Sequence, residues 1–306
     1  MSSFSTLALS AALALASACA GSVNAGEFWM DGVSRDSGWY DINKTWGKHD
    51  SDGKYSNYDT NYCWAAAGSN ILSWWQDQLP SSLKDLPDIP TGENIYNTIR
   101  LKAQAFSGGL SIGAWQWFLH GDTTEYLPGL GGEYYQSHIP ESYLTEGTTN
   151  SLYVTNLWSE GSGTLPISSF RSRLQTAMKD EHCGITLRVN LPSSGSNHAI
   201  TLWGAEYDDA TDKITKLFIT DSDDTQDSKD YTVRSLVTLG CVYYTDSNYI
   251  YLYDIDEEGN TISGTYTDGH ASIFGVHGLK AYTVPEPVSA AFLFLGLGTV
   301  LTRRRR

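Results

Sequence analysis

Residues 197–224, NHAITLWGAEYDDATDKITKLFITDSDD, decide how this chain is read. Two runs rich in β-branched, aliphatic and aromatic residues, 198–207 and 214–220, flank the polar segment DDATDK, which is the pattern of a β-hairpin. His198 opens the first strand and Asp221 follows the second. The midpoint of 198 and 221 is 209.5, inside the turn. A regular hairpin therefore sets His198 across from Asp221, with Cβ atoms ~5 Å apart, close enough for a carboxylate to orient an imidazole. Asp223, two residues on, projects from the same side if the strand continues.

Working outward, ITLRVNL (185–191) alternates Ile185, Leu187, Val189 and Leu191 with polar residues and reads as a half-buried strand. NYIYLYDI (248–255) and IFGVHGLKAYTV (273–284) read as further strands. The first half has the other period. Ala67, Ile71, Trp74 and Trp75 fall at helical spacing, with Asn61 available as a cap, so Cys63 lies in a first helical turn. Further helices are expected from about Thr91 to Phe106, around GAWQWFLHG (113–121), and from Ser168 or Ser169 to about Glu181. Helices first and antiparallel strands second make an α+β pattern.

A thiol at a helix N-terminus meets unpaired N–H groups and the positive end of the helix dipole, and both favour the nucleophilic thiolate. An isolated cysteine beside AAAG is otherwise a structural one, so a catalytic role requires a base elsewhere in the chain. The hairpin supplies it. Cys63 as nucleophile, His198 as base and Asp221 as orienting acid follow the order of papain-like enzymes.

The chain has 306 residues, 41% of them hydrophobic and 12% aromatic, enough to build one core over residues 26–283. Its formal charge is −15; without the four terminal arginines the body carries about −19 (−15 minus 4), which repels phosphate backbones and excludes nucleic acid as a partner. Residues 1–25 read as a signal peptide cut after Ala25. Cys63, Cys183 and Cys241 then remain. This is an odd number for an oxidising compartment, so at least one thiol stays free or pairs with another molecule, and Cys183 with Cys241 is an open disulfide pairing.

Residues 284–306 hold Pro285, Glu286 and Pro287, then fourteen apolar or small residues from Val288 to Leu301, then four arginines. As a helix the fourteen rise about 21 Å, short of a ~30 Å hydrocarbon core, but the arginine cluster would hold the segment at a membrane. This three-part order resembles the PEP-CTERM sorting signal. The resemblance implies an exosortase-type partner, transient membrane association through residues 288–301, and an exported protein of the cell envelope or matrix, or one released after processing.

A second resemblance rests on four blocks: GWYDINKT (38–45), CWAAAGSNILSWWQDQ (63–78), NHAITLWGAEYD (197–208) and FITDSDD (218–224). They are similar to signature blocks of the IdeS/Mac family of cysteine endopeptidases. The resemblance implies a papain-like fold without a cofactor, a protein or peptide substrate, Cys63 as nucleophile, His198 as general base and acid, and Asp221 as its orienting partner. Asp223 would be a supporting carboxylate. Lys44 would share the oxyanion hole with the Cys63 N–H. Asn61 and Tyr62 before the cysteine and Trp64 after it depart from the family pattern, as does the longer polar loop from His49 to Tyr62, which puts the substrate in question more than the chemistry.

Other features have plainer readings. The acidic run from Asp221 lacks the glycine and terminal glutamate of a calcium loop. His182 beside Cys183 has no second metal-ligand pair and reads as a solvent-facing helix end. Trp115, Trp117 and LPGLGGEYY read first as core packing, with the lining of a substrate groove as the alternative. Two functional alternatives remain: a non-catalytic envelope or adhesion protein on a protease scaffold, and a transglutaminase-like acyl transfer on the same triad.

Overall fold

The computed structural model describes residues 25–44, 61–102, 109–121, 132–145, 148, 150–159, 167–192, 195–223, 234–244 and 249–283. The described residues form eight strands: β1 (Ala25–Trp29), β2 (Tyr153–Ser159), β3 (Cys183–Leu191), β4 (Ser196–Asp208), β5 (Lys213–Thr220), β6 (Val237–Tyr244), β7 (Tyr249–Asp254) and β8 (Ser272–Lys280). From β3 to β8 each strand pairs antiparallel with the next, and β8 returns to pair with β3, so six strands close into a barrel. β1 adds to β4 and β2 to β8 on the outside of this ring.

The closed barrel overturns the expected papain-like arrangement of a helical half beside an antiparallel sheet. What accompanies the barrel is a set of short helices: α1 (Cys63–Asp77), α2 (Ser81–Lys84), α3 (Gly92–Lys102), α4 (Ser111–His120), α5 (Glu141–Leu144), α6 (Phe170–Gln175) and α7 (Thr265–Asp268). One strand accounts for much of the difference. VTLGCVYY, whose period is interrupted at Gly240, carries no clear strand signal, yet as β6 it bridges β5 to β7 and closes the ring. The missing side chain there lets the Tyr253 ring lie against the strand, where a Cβ would sit 2.3 Å from it. Closure also uses two bulges in the β4–β5 ladder, one in β4 at Trp203 and one in β5 at Thr215, which add to the coiling of the long β4 strand that pairs with β3, β5 and β1.

Helix α1 is buried from Trp64 to Trp75 and so has no solvent face. One side packs on α3 and α4, the other on β3 and β4. The approach to the barrel is close: a Cβ on Gly184 of β3 would come within 2.8 Å of Ile71 and Trp74. Trp64, Trp74, Trp75, Trp115 and Trp117 are all nearly inaccessible, so Trp115 and Trp117 are core residues. Truncating one such indole to alanine costs about 3–5 kcal/mol.

The other expected elements are found with shifted ends. The helix expected over 91–106 is α3, and residues 103–108 lie outside the described residues. The one expected over 168–181 is a 3₁₀ turn (Ile167–Ser169), then α6, then a π-helical turn (Thr176–Asp180). Of the proposed terminal signals, residues 1–25 and 284–306, all but Ala25 fall outside the described residues. Among the described residues no helix is long and apolar enough to cross a membrane. Cys183 and Cys241 are both free, so the open disulfide pairing is not made.

Candidate active site

Helix α1 begins at Cys63, as its spacing predicts, but the cap is Tyr62 rather than Asn61, and no side-chain cap bond is made. The Cys63 N–H is therefore among the first N–H groups of the helix, which have no acceptor within it. Asn70, two turns on, ties this helix to its surroundings. Its Oδ1 accepts from the Ile42 N–H at 2.9 Å, and its Nδ2 donates to Thr201 Oγ1 at 3.1 Å and Thr220 Oγ1 at 3.3 Å. One buried amide thus joins α1 to β4, to β5 and to the segment before Lys44. A further bond, from the Lys44 N–H to the Ser222 carbonyl at 3.0 Å, sets the lysine beside the end of β5.

His198 and Asp221 meet, but not as a directly opposed pair. Thr201 pairs with Thr220 and Asp208 with Lys213, which centres the hairpin one residue later than the midpoint of His198 and Asp221. One further step of that ladder brings Asp221 level with Ile200, two residues along from His198 on the same face. The reach is still short: His198 Nε2 donates to Asp221 Oδ1 at 2.6 Å. Nor does the strand run on to Asp223. β5 ends at Thr220, and the chain turns so that the Asp223 N–H donates to Asp221 Oδ1 at 3.0 Å.

Asp221 has a further partner that sequence reasoning missed. The Tyr266 hydroxyl, buried in α7, donates to Asp221 Oδ2 at 2.6 Å. The turn that carries Tyr266 is held by Asp254, whose Oδ2 accepts from the Tyr266 and Thr267 N–H groups, each at 2.9 Å. No motif marks Tyr266 in the sequence; the only hint is a polar helical turn between two strands.

Burial by itself would push Asp221 up, but the charge and hydrogen bond of His198, with the bonds from Tyr266 and the Asp223 N–H, outweigh it and hold the carboxyl at about 2. Burial would likewise push His198 down; the negative charges of Asp221 and Cys63 and the bonds to both instead hold it well above the usual imidazole range. For Cys63 burial favours the thiol. The His198 charge and hydrogen bond, the Lys44 charge and the Ala199 backbone amide prevail and lower it below the ordinary thiol value. With Nε2 committed to Asp221, Nδ1 is the ring nitrogen left to exchange a proton with the sulfur.

Lys44 is 1% exposed, so its ammonium has to be paired. Its Nζ lies 2.5 Å from Asp223 Oδ1, and Asp223 Oδ2 is 3.9 Å from His198 Nδ1. All five residues singled out in the sequence, Lys44, Cys63, His198, Asp221 and Asp223, thus belong to one cluster. His198, Asp221 and Asp223 also offer ligand atoms within 4.8 Å of one another, a spacing that can hold a cation. In this arrangement Asp221 is turned to His198 and Tyr266, and the Lys44 ammonium already neutralises Asp223. Most of the acidic run, residues 224–230, lies outside the described residues. His182 is exposed and bonded to Asp31, apart from the cluster.

A cleft of about 510 Å³ opens over the cluster, with Cys63, Trp64 and Ser111 on the helical wall and Arg188, His198 and Phe274 on the barrel wall. Its chemistry is that of a thiol biased to thiolate beside an imidazole biased to imidazolium, with a buried ammonium and a helix-terminal N–H near by.

A family model described as Mac 1 matches residues 28–96 and 168–240. The two segments contain Lys44 and Cys63, and His198, Asp221 and Asp223, respectively. The match supports the IdeS/Mac resemblance of the signature blocks and is compatible with a hydrolase. Tyr266 and Asp254 lie beyond the matched segments. No curated protein matches the chain.

Proposed function

We propose that the chain is a cysteine endopeptidase that hydrolyses peptide bonds in a protein substrate. The observation that carries this is the direct coupling of Cys63 to His198, with His198 held by a buried Asp221 at 2.6 Å. The Cys63 sulfur attacks the scissile carbonyl carbon while the Lys44 ammonium and the Cys63 N–H receive the developing oxyanion. His198 then gives its proton to the leaving amine, releasing the first product and leaving a thioester on Cys63. Water, deprotonated by His198, hydrolyses that thioester and restores the thiol. Asp221 orients the ring throughout, and Asp223 keeps Lys44 in position. No step calls for a cofactor.

Export through residues 1–25 and envelope sorting through residues 284–306 by an exosortase-type enzyme belong to the same proposal, and put the substrate outside the cytoplasm. The test is a search for new protein N-termini made by the mature chain and absent with Cys63→Ala. Cleavage products that depend on Cys63 support the reading. If the two proteins give the same N-termini and Cys63 alkylates no faster at pH 6 than an ordinary thiol, the chain is a non-catalytic envelope protein. Cross-linked products on adding a primary amine would instead indicate acyl transfer.

A further inference from the structure

The carboxylate that orients His198 is bonded to a turn that cannot hold itself. Tyr266 lies in the four-residue α7, whose other members, Thr265, Thr267 and Asp268, are half-buried or exposed. So short a helix is unstable alone, because nucleation fixes several residues for each hydrogen bond gained. Its cap position is Gly264, and no side chain there closes the turn.

Asp254, the last residue of β7, does so from outside. Its Oδ2 accepts from the Tyr266 and Thr267 N–H groups, each at 2.9 Å. In return its own N–H donates to Thr267 Oγ1 at 2.8 Å, and its carbonyl accepts from the Ile262 N–H at 3.0 Å. One strand residue thus grips the turn by side chain and backbone together. The fit is close: a Cβ on Gly264 would lie 2.5 Å from Asp254 Cγ and Oδ2.

What the grip delivers is the Tyr266 hydroxyl, 2.6 Å from Asp221 Oδ2. Burial, with the charge and hydrogen bond of Asp221 and the charges of Asp223 and Asp254, holds that hydroxyl well above the ordinary phenol range, so it remains a donor. A displacement of the turn by about 1 Å would end the bond. Asp221, bonded to Tyr266 on one oxygen and to His198 on the other, then has one restraint fewer.

We propose that Asp254 is a positioning residue for the reaction: by clamping α7 to the end of β7 it holds the Tyr266 hydroxyl on Asp221, and through Asp221 it fixes the His198 ring that activates Cys63. Asp254 is not among the described residues lining the cleft, so it acts at a distance. The assignment rests on the endopeptidase reading above and carries its machinery to a strand end outside the segments that the family model matches.

Two measurements test it: alkylation of Cys63 against pH, which needs no substrate, and peptide cleavage per mole of alkylatable Cys63. With Tyr266 displaced, Asp221 protonates at a higher pH, the imidazolium loses its partner and the thiolate loses the imidazolium. Asp254→Ala should therefore move the acid edge of alkylation to higher pH and lower kcat about tenfold at unchanged KM, the effect of losing one hydrogen bond to a charged group. Gly264→Ala removes no polar group and only displaces the carboxylate; it should act in the same direction, and it keeps the test open if Asp254→Ala does not fold. Asp254→Asn, which can keep an oxygen on both N–H groups, should stay within about threefold of the native protein. In a Tyr266→Phe background Asp254→Ala should add less than about twofold, because both changes act through one bond.

Native acid edges in Asp254→Ala and Gly264→Ala, an Asp254→Asn protein as impaired as Asp254→Ala, or effects of Asp254→Ala and Tyr266→Phe that multiply in the double variant would each overturn the assignment and leave the endopeptidase reading standing. No cleavage of any peptide by the native protein, with slow alkylation of its Cys63, overturns both.

Discussion

Cys63 and Cys183 are both held within the fold, the first at the start of α1 and the second at the start of β3, and their thiols are driven in opposite directions. Burial acts the same way on both, disfavouring the thiolate. At Cys183 the neighbouring Glu181 carboxylate adds to burial, and the thiol is pushed up to about 12, with the Lys280 ammonium only a small offset. At Cys63 the neighbours are His198, Lys44 and the Ala199 amide, and the thiol falls below its ordinary value. Cys241 follows Cys183, raised by burial alone. Burial disfavours the thiolate at all three sulfurs; what sets Cys63 apart is the positive charge and hydrogen bonding of His198, with Lys44 and the Ala199 amide, which outweigh it.

The widest gap to look for is in thiol chemistry. At pH 6 a thiol with a pKa of about 12 is thiolate in about one molecule in 10⁶, and one below 9 in more than about one in 10³. Iodoacetamide should therefore modify Cys63 at least ~10³-fold faster than Cys183 or Cys241 in the folded protein, read by peptide mass spectrometry. Equal rates would erase the contrast.

Asp221→Asn strikes the next largest effect, lowering kcat by about 10³-fold or more because a neutral amide neither holds the imidazolium nor selects its tautomer. It also has a pH signature. A carboxyl whose folded pKa lies below its unfolded value stabilises the fold above the unfolded value, near 4, and loses that contribution as pH falls towards about 2. The native protein should thus exceed the Asp221→Asn variant by on the order of 2 kcal/mol at pH 7, a margin that narrows between about pH 4 and 2 in urea titrations. A margin that stays constant across this range would dismiss Asp221 as an ionised partner.

Lys44→Met sharpens the comparison from the other side of the sulfur. It should reduce kcat by about 10²–10³-fold, the worth of one oxyanion donor, and move half-maximal alkylation of Cys63 to higher pH. An unchanged alkylation profile would remove Lys44 from the set of charges acting on the thiol. Tyr266→Phe is the mildest change, deleting one hydrogen bond to a charged group, and should cost about tenfold in kcat/KM. With that bond gone Asp221 protonates more readily, so activity on the acid side should be lost at a higher pH than in the native protein; Tyr266 serving only as packing would leave the acid limb where it was.

Much of the site is legible in the sequence because its parts lie at the ends of strongly patterned elements. Cys63 precedes a helical apolar stripe, and His198 and Asp221 bracket a hairpin, so local period alone sets each near an element terminus. The error in register was small for a physical reason: the offset hairpin shifts the pairing by two residues, and residues two apart on a strand share a face. A shift by one would have separated them. Tyr266 had no such mark, since its role comes from a four-residue helical turn brought to Asp221 across the barrel.

By itself the sequence determined where the longer helices and most strands lie, which cysteine begins a helix, and which histidine and aspartate share a hairpin, all consequences of side-chain period and turn composition over short separations. The tertiary structure alone decided that six strands close into a barrel, that Asn70 joins α1 to the hairpin, that the Lys44 ammonium is buried against Asp223, and that Tyr266 completes the surroundings of Asp221. Those outcomes depend on contacts between residues far apart in the chain, through strand coiling, close glycine-mediated approach and the need to pair every buried charge, and no local pattern encodes them.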